Sequence, residues 1–426
     1  MSSALLAGAM PSKDLTKALV AGELSAEELQ EVAPQALYIA IQQAGLEASR
    51  AVLPMLSSDQ YRALLDFEVW NIDRVDEDKL WDFLSTVDEE KTLEPLGQFL
   101  DNVDHELLAM IVSRYVEAQT YEEPTDESPG KFWHTPDRGF TWIHFNTEDP
   151  ERYRLLGRIM AIIFAAQPEL FYQLIAMPMS ATPSELEEEA YQLKIRRLGD
   201  IGIPEHAQAA EMHAPLNAEL LAKELDSLAP SRYWTREGIV ALAEGAQRIQ
   251  PLSSMIDEVL GGSGADEAQS IVDELTYIAN CSAVYFSVPF HDHSLLSLHI
   301  AKVHGAINVG LERIGELCSA SFPDIFSHLG LAKLYRAGLF ELFGLRDTAA
   351  NILRRIESVS AQPEAEQAAE TILACVRESF PLLPMFFTPQ GFLADEAGKL
   401  PGGVKAITSL AEVRAAKNLI IEEFAS

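Results

Sequence analysis

The chain has 426 residues, of which 48% are hydrophobic, 8% aromatic and 23% charged. One compact core stops growing at roughly 250–300 residues, so this length predicts several domains or an extended helical array. The 65 acidic and 32 basic residues give a net charge of −33, which repels phosphate backbones and anionic lipids and argues against nucleic-acid and membrane-surface roles.

Cysteine usage and hydropathy predict a soluble, cytoplasmic protein. The three cysteines, Cys281, Cys318 and Cys375, are widely spaced and form no CxxC pair, so no disulfide framework or zinc knuckle is indicated. The longest apolar run, near residues 159–166, is far shorter than the ~20 residues that a membrane span needs. The N-terminus lacks the basic segment that opens a secretory signal.

Residues 14–120 predict a series of short helices, because apolar residues recur at three- and four-residue spacing between Asp, Ser, Gly and Pro breaks. The segment Ser25-Ala-Glu-Glu28 has the form of a capping box. Ser58 and Asp104 are predicted to cap two further helices.

Similar segments recur within this helical region and beyond it. Residues 55–65 resemble residues 98–108 at an offset of 43, and residues 164–174 are a third copy of the pattern. A spacing of about 40 residues is typical of helical-hairpin solenoids, although generic amphipathic helices in an irregular bundle give similar echoes. We predict an all-α fold of stacked helical hairpins, a superhelical multi-helix array, with one short β-hairpin insertion.

The β-hairpin is predicted at residues 131–145, after an acidic, Pro-containing linker at residues 121–130. Two aromatic-rich runs flank the turn signal Pro136-Asp137-Arg138-Gly139. This gives three predicted segments: an acidic helical-hairpin domain (1–120), the linker and hairpin (121–148), and a C-terminal multi-helix domain (149–426). Trp133, Phe140 and Trp142 offer aromatic surface for a partner protein, with packing onto the helices as the alternative.

A polar helix is predicted at residues 183–199, with Ser184 as N-cap, acids in its first turn and basic residues in its last. Its candidate residues are Glu188, Tyr191, Arg196 and Arg197. Glu188 stands four residues from Gln192 and eight from Arg196, a spacing that allows a ladder of polar contacts. The pattern predicts a solvated face, with a catalytic carboxylate pair as the alternative.

Four of the ten histidines lie between residues 291 and 304, and His291-Asp292-His293 supplies the ligand types that zinc and iron prefer. If a helix begins near Asp292, however, His299 points away from His293 and His304. An N-cap role would also explain Asp292 without a metal. A divalent metal at these residues is the one cofactor that we consider, and otherwise no cofactor is predicted.

No complete catalytic motif is present: the sequence has no P-loop, GxSxG, HExxH or GxGxxG after a strand. An enzyme is therefore not indicated. Acidic clusters at residues 76–78 and 88–90 leave a divalent-cation sensor as a further alternative.

Two motifs carry a resemblance to a known family. The segment Arg197-Leu-Gly-Asp-Ile-Gly-Ile-Pro204 and its continuation to Leu216, with Ala406-Ile-Thr-Ser-Leu-Ala-Glu-Val-Arg-Ala-Ala416, resemble motifs of a bacterial family classified only as a domain of unknown function. The resemblance covers nearly the whole chain and implies no functional residue. Residues 51–65 are also similar to the acidic superhelical N-terminal domain of MgtE-type magnesium transporters, which implies a superhelical fold and acidic surfaces able to hold Mg²⁺.

The sequence thus predicts an interaction or regulatory protein that binds a protein partner through a helical groove or the aromatic hairpin. A metal-dependent enzyme centred on His291, Asp292 and His293 and a divalent-cation sensor are the alternatives. The partner, the oligomeric state and the pathway stay open.

Overall fold

A computed structural model describes residues 12–46, 48–87, 94–177, 181–225, 249–256, 265–290, 292–358, 367–394 and 400–424. They are mostly helical, with a few small two-stranded antiparallel sheets, which confirms the helical fold class. The chain forms two compact units, unit 1 (Met1–Ile201) and unit 2 (Gly202–Ser426). The division at residues 120 and 148, made from composition, stays a prediction.

Unit 1 consists of short helices with two small sheets. Its helices are α1 (Ser12–Ala21), α2 (Ala26–Gln30), α3 (Pro34–Ala44), α4 (Ser58–Glu68), α5 (Glu77–Val87), α6 (Glu94–Asn102), α7 (His105–Tyr115), α8 (Pro150–Ala166), α9 (Pro168–Ala176) and α10 (Pro183–Asp200). Its strands are β1 (Trp70–Asn71), β2 (Arg74–Val75), β3 (Val116–Thr120) and β4 (Thr141–Phe145), paired β1 with β2 and β3 with β4.

The helix starts of unit 1 follow from side chains that bind free backbone N–H groups. The predicted capping box is confirmed at α2, where Ser25 and Glu28 bind each other's backbone N–H. The prediction of Ser58 was wrong by one residue, because Ser57 caps α4 and pairs with Gln60. Asp104 precedes α7 as predicted, but its side chain makes no cap hydrogen bond.

The predicted strand pair differs from the observed one. Strand β4 pairs along its whole length with β3, which directly follows α7, and residues 131–135 contribute only the single bridge between His134 and Ile143. Thr135 Oγ1 and Asp137 Oδ1 accept hydrogen bonds from the backbone N–H groups of Gly139 and Thr141. These side-chain hydrogen bonds compete with the backbone hydrogen bonds of a regular β-hairpin, and the residues before β4 therefore form a loop.

Unit 2 is built on three long helices. Its helices are α11 (His206–Met212), α12 (Ala218–Glu224), α13 (Ala265–Tyr285), α14 (His293–Leu317), α15 (Phe322–Ser358, interrupted at Gly330), α16 (Gln367–Val376) and α17 (Leu410–Phe424). Its strands are β5 (Leu382–Pro384), β6 (Phe387–Thr388), β7 (Gly391–Phe392) and β8 (Val404–Ala406), paired β5 with β8 and β6 with β7. No described helix combines the length and apolar composition that a membrane span requires.

Helices α14 and α15 approach each other at backbone distance in the core of unit 2. A Cβ added at Gly338 would lie 1.7 Å from the carbonyl oxygen of Ala306, and one added at Gly310 would lie 2.0 Å from that of Leu334. No side chain fits at such distances, so glycine is required at both positions. In the core of unit 2, the backbones of these two helices are therefore in direct contact.

Candidate functional site

The described part of unit 1 contains an apolar cavity of about 320 Å³, which we call the aromatic cleft. It lies between strand β4, the loop before it, and helices α8 and α9. Its lining residues are His134, Thr135, Pro136, Ile143, Phe145, Tyr153, Arg154, Gly157, Met160, Ala161 and Phe171.

The walls of the cleft belong to the folded core. Met160 and Phe171 are at most 2% exposed, and Phe145 is 4% exposed. The Tyr153 hydroxyl shares a 2.6 Å hydrogen bond with Nε2 of His134, and the Tyr153 ring packs edge-on against Phe145 at 5.2 Å. Because these groups are fixed by packing and hydrogen bonding, the cleft exists before any ligand binds.

Gly157 keeps the cleft open on the side of helix α8. It lies in the interior of the helix, where glycine costs about 1 kcal/mol relative to alanine. A Cβ at this position would lie 3.7 Å from Cε2 of Phe145, an ordinary contact distance. The helix therefore tolerates a side chain at residue 157, and a long side chain would occupy the cleft.

A second cavity of about 680 Å³, the outer groove, adjoins the cleft and shares Phe145 and Tyr153 with it. Its lining residues are Phe132, His144, Phe145, Asn146, Thr147, Glu148, Asp149, Pro150 and Tyr153. The ring of Phe132 is 71% exposed, although phenylalanine is usually buried. Two pockets thus open side by side on the same face of unit 1.

Phe132 is held in an unfavourable backbone conformation, with φ of 64°. A bulky residue in this left-handed region costs about 1 kcal/mol or more. Nδ1–H of His144 donates to the carbonyl oxygen of Phe132 at 3.3 Å, and the His144 ring stacks on Trp133 with centroids 5.7 Å apart. The surrounding contacts therefore support a strained residue whose side chain contributes little to the core.

Acidic groups line the outer groove. Oδ1 of Asp149 accepts the backbone N–H of Glu151 at 2.9 Å and so caps α8, while Oδ2 lies 3.6 Å from Nε of Arg152. Glu148 is exposed, and its carboxylate has no hydrogen-bond or ion-pair partner among the described residues. The lining of the groove therefore contains one unpaired carboxylate and no lysine or arginine, and its only imidazole is His144, which is bound to the carbonyl oxygen of Phe132.

The three aromatic residues predicted to bind a partner occupy different environments. Phe140 is 44% exposed, Trp133 is half-buried against His144, and Trp142 is only 8% exposed in the core of unit 1. The cleft itself was not predicted, because Tyr153, Gly157 and Phe171 belong to two helices that only the tertiary fold brings to β4. The glycine inside an otherwise apolar helical pattern was the one local signal.

The residues predicted on helix α10 separate into a solvated face and an ion-paired face. Glu188 accepts a hydrogen bond from Nε2 of Gln192 at 2.7 Å, as predicted, and Arg196 is exposed. Tyr191 packs near Trp70 with ring centroids 5.9 Å apart. The predicted N-cap was wrong, because Thr182 caps α10 and Ser184 lies inside it.

Arg197 forms the strongest ion-pair cluster of α10. Its guanidinium donates to both carboxylate oxygens of Asp66 at 2.7 and 2.8 Å and to both of Asp104 at 2.7 and 2.8 Å. Burial raises the pKa of the Asp66 carboxyl, and the hydrogen bonds from Arg197 oppose that rise. This cluster joins α10 to α4 and to the start of α7, which is a structural role.

Lys194 lies on the same face of α10 and was not singled out from the sequence. Its Nζ donates to the carbonyl oxygen of Ile72 at 2.8 Å and lies 4.8 Å from the centre of the Trp70 ring. Burial lowers its pKa to about 8. The contacts stabilise the β1–β2 turn, in which Ile72 has a φ of 57°.

Unit 2 contains a buried polar cluster formed by His213, Ser282, His299 and Tyr335, one residue from each of four segments of the chain. None of the four is more than 4% exposed. Nδ1–H of His213 donates to the carbonyl oxygen of Ala209 at 2.8 Å, so its Nε2 accepts from the Tyr335 hydroxyl at 2.8 Å. The Ser282 hydroxyl is then free to donate to Nε2 of His299 at 2.7 Å.

Burial keeps both histidines of this cluster neutral. It lowers the pKa of His213 to about 4, and burial together with the nearby Lys302 charge lowers the pKa of His299 to about 3. A serine beside a neutral histidine is the arrangement of a nucleophile and its base. Because Ser282 has an exposed fraction of 0%, a substrate has no access to it, and the cluster instead joins the helices of unit 2.

The predicted metal centre falls partly outside the described residues, which exclude His291 and the side chain of His293. Asp292 accepts the backbone N–H groups of Ser294 and Leu295 at 3.0 and 2.9 Å and is the N-cap of α14. Among the described residues, no group of three or more His, Cys, Asp or Glu side chains is placed to hold a metal ion.

The acids proposed for cation sensing are engaged elsewhere where they are described. Glu77 accepts hydrogen bonds from Arg114 and Tyr115, and Asp78 pairs with Arg152 at 3.3 Å. Residues 88–90 lie outside the described residues.

Comparison with known proteins identifies a family but no characterised relative. No curated protein and no solved structure matches the chain, so the resemblance to magnesium transporters gains no support. Both motifs that resemble an uncharacterised family lie within residues 4–420. A family of unknown function, DUF6178, matches those residues, and the protein therefore belongs to that family.

Proposed function

We propose that this protein is an interaction protein and that unit 1 binds a segment of a partner protein at the aromatic cleft. The observation that carries this proposal is a preformed apolar cavity of about 320 Å³ beside an exposed, strained phenylalanine. Interfaces draw most of their binding energy from aromatic or aliphatic anchors that fill such pockets. A cavity of this size accommodates one or two large apolar side chains.

The strained conformation of Phe132 supports the same proposal. Backbone strain of this kind persists where the surrounding structure enforces it, and it is concentrated at ligand-binding sites. An exposed phenylalanine ring gains little from folding, whereas it would gain apolar contact area on a bound partner.

The experiment is a selection of short random peptides displayed on phage, with the immobilised full chain as bait. The decisive variant is Gly157→Leu, which fills the cleft from helix α8 with a good helix former. We expect the wild type to enrich peptides with an aromatic or long aliphatic residue and the variant to lose them.

Gly157→Ala is the matched control, because it adds only a Cβ at ordinary contact distance and leaves the cleft open. Circular dichroism and thermal unfolding establish that both variants fold. Retention of the same peptides by Gly157→Leu would show that the cleft is not the binding site.

A further inference from the structure

The outer groove indicates the chemistry of the partner that the aromatic cleft would take. The two pockets share Phe145 and Tyr153, so a single extended segment can occupy both. The cleft has an apolar, aromatic lining, whereas the groove adds carboxylates and an exposed phenyl ring. The two pockets therefore select different side chains.

The free carboxylate of Glu148 and the exposed ring of Phe132 line the same groove. A carboxylate attracts a cation directly, and the face of an aromatic ring attracts one through its quadrupole. Together they favour a lysine ammonium or an arginine guanidinium over a neutral side chain.

The other charged groups around the groove do not oppose this reading. Arg152 is engaged by Asp149 and by Asp78. The helix N-terminus of α8, which would attract an anion, already has two backbone N–H groups bound by Asp149. Arg154 lines the cleft and not the groove, and the chain as a whole carries a net charge of −33.

We propose that the partner segment is basic: it carries an apolar anchor for the aromatic cleft next to a lysine or arginine that lies in the outer groove against Glu148 and Phe132. This proposal rests on the proposed function of the cleft. Long-range attraction between the acidic chain and a basic segment would also speed their encounter.

The test uses a peptide selected on the wild-type full chain and measures its dissociation constant by fluorescence anisotropy. We expect lysine or arginine to be enriched beside the apolar anchor. Glu148→Gln should weaken binding about fivefold, as expected for one carboxylate–cation contact at a partly exposed site. Raising NaCl from about 50 to about 500 mM should weaken the wild type more than Glu148→Gln, since screening acts on the charge that the variant lacks.

Glu151→Gln is the matched control, because Glu151 is exposed in the first turn of α8 but does not line the groove. We expect it to leave affinity unchanged. The basic-partner proposal alone would be overturned if the selected peptides lose binding to Gly157→Leu but show no enrichment of lysine or arginine. The same peptides would then bind Glu148→Gln as well as the wild type. Peptides that are indifferent to Gly157→Leu would overturn the proposed function itself.

Discussion

The aromatic cleft of unit 1 and the polar cluster of unit 2 use similar residue types in opposite ways. In the cleft, His134 and Tyr153 share a hydrogen bond at the mouth of an open apolar cavity. In the cluster, His213 and Tyr335 share one in a core where neither is more than 4% exposed. The same imidazole–phenol pair therefore borders a ligand-sized space in one unit and joins helices in the other.

The difference shows that residue chemistry alone does not identify a functional site. The buried cluster contains the more reactive combination, a serine beside a neutral histidine, yet it is closed to ligands. The polar residues that line the cleft are His134, Thr135, Tyr153 and Arg154, none of them a serine beside a neutral histidine, yet the cleft is preformed and accessible. Accessibility and shape, rather than the presence of catalytic residue types, favour unit 1 as the place where this protein meets a ligand.

The largest expected effect is a loss of stability in the buried core of unit 2, the inaccessible region in this comparison. Gly338→Ala would place a Cβ against the carbonyl oxygen of Ala306 and force α14 and α15 apart, which should cost about 3 kcal/mol or more of unfolding free energy. Gly344→Ala, on the same helix with open space around it, should be neutral or stabilising by up to about 1 kcal/mol. Chemical denaturation of both variants tests this, and equal stabilities would contradict the close helix contact.

In unit 1, the ion-paired face of α10 stabilises the fold, as the contact between α14 and α15 does in unit 2. Arg197→Met leaves the buried Asp66 and the half-buried Asp104 without their partner and should cost about 3 kcal/mol. Arg196→Met, one residue away and exposed, should change stability by less than about 0.5 kcal/mol. Thermal unfolding of the two variants distinguishes them, and a large effect of Arg196→Met would contradict the assignment of the two faces.

Acid should weaken the closed cluster of unit 2. Folding lowers the pKa of His213 and His299 below the ordinary value of about 6.5, so the unfolded chain binds more protons and stability falls as the pH drops below that value. Each histidine should remove about 2 kcal/mol between pH 7 and pH 5. Hydrogen exchange in peptides from α14 reports this loss.

The carboxylates of the chain also titrate in acid, so variants isolate the effect of the histidines. Burial is the main cause of the lowered pKa of both histidines, and at His299 the charge of Lys302 adds to it. In His299→Gln the change in exchange between pH 7 and pH 5 should be smaller than in the wild type. An equal pH dependence would mean that His299 does not stay neutral in the folded state.

The smallest expected effect on stability concerns the outer groove of unit 1. Phe132→Gly removes a ring that is 71% exposed and relieves a φ of 64°, so it should leave stability unchanged or raise it by up to about 1 kcal/mol. The same change should weaken binding of a selected peptide. A clear loss of stability, measured by thermal unfolding, would show that Phe132 is held for the fold and not for a ligand.

Local features of the fold were predictable because they depend on neighbouring residues. The caps at Ser25 and Asp292 follow from hydroxyl or carboxylate groups beside free N–H groups. Ser58 and Ser184 were misassigned because a second hydroxyl, from Ser57 or Thr182, stood one or two residues earlier and satisfied the same N–H groups.

The buried face of α10 could have been predicted in more detail. Leu186, Ala190, Lys194 and Leu198 are spaced by four residues and are all buried, which places Lys194 and the adjacent Arg197 towards the core. The cleft and the polar cluster could not have been predicted from the sequence. Their residues are separated by tens to more than a hundred positions in the chain and are brought together only by tertiary contacts. The β3–β4 pair was missed because five residues directly after a helix carry a weak strand signal.

The most direct test of the proposed binding site is the affinity of one selected peptide for two variants that differ only in how far residue 157 extends into the cleft. We predict that Gly157→Ala binds the peptide like the wild type and that Gly157→Leu, folded to the same extent, binds it at least tenfold more weakly, as expected when an apolar anchor loses its pocket. Equal affinities for the two folded variants would contradict the assignment of the aromatic cleft as the binding site.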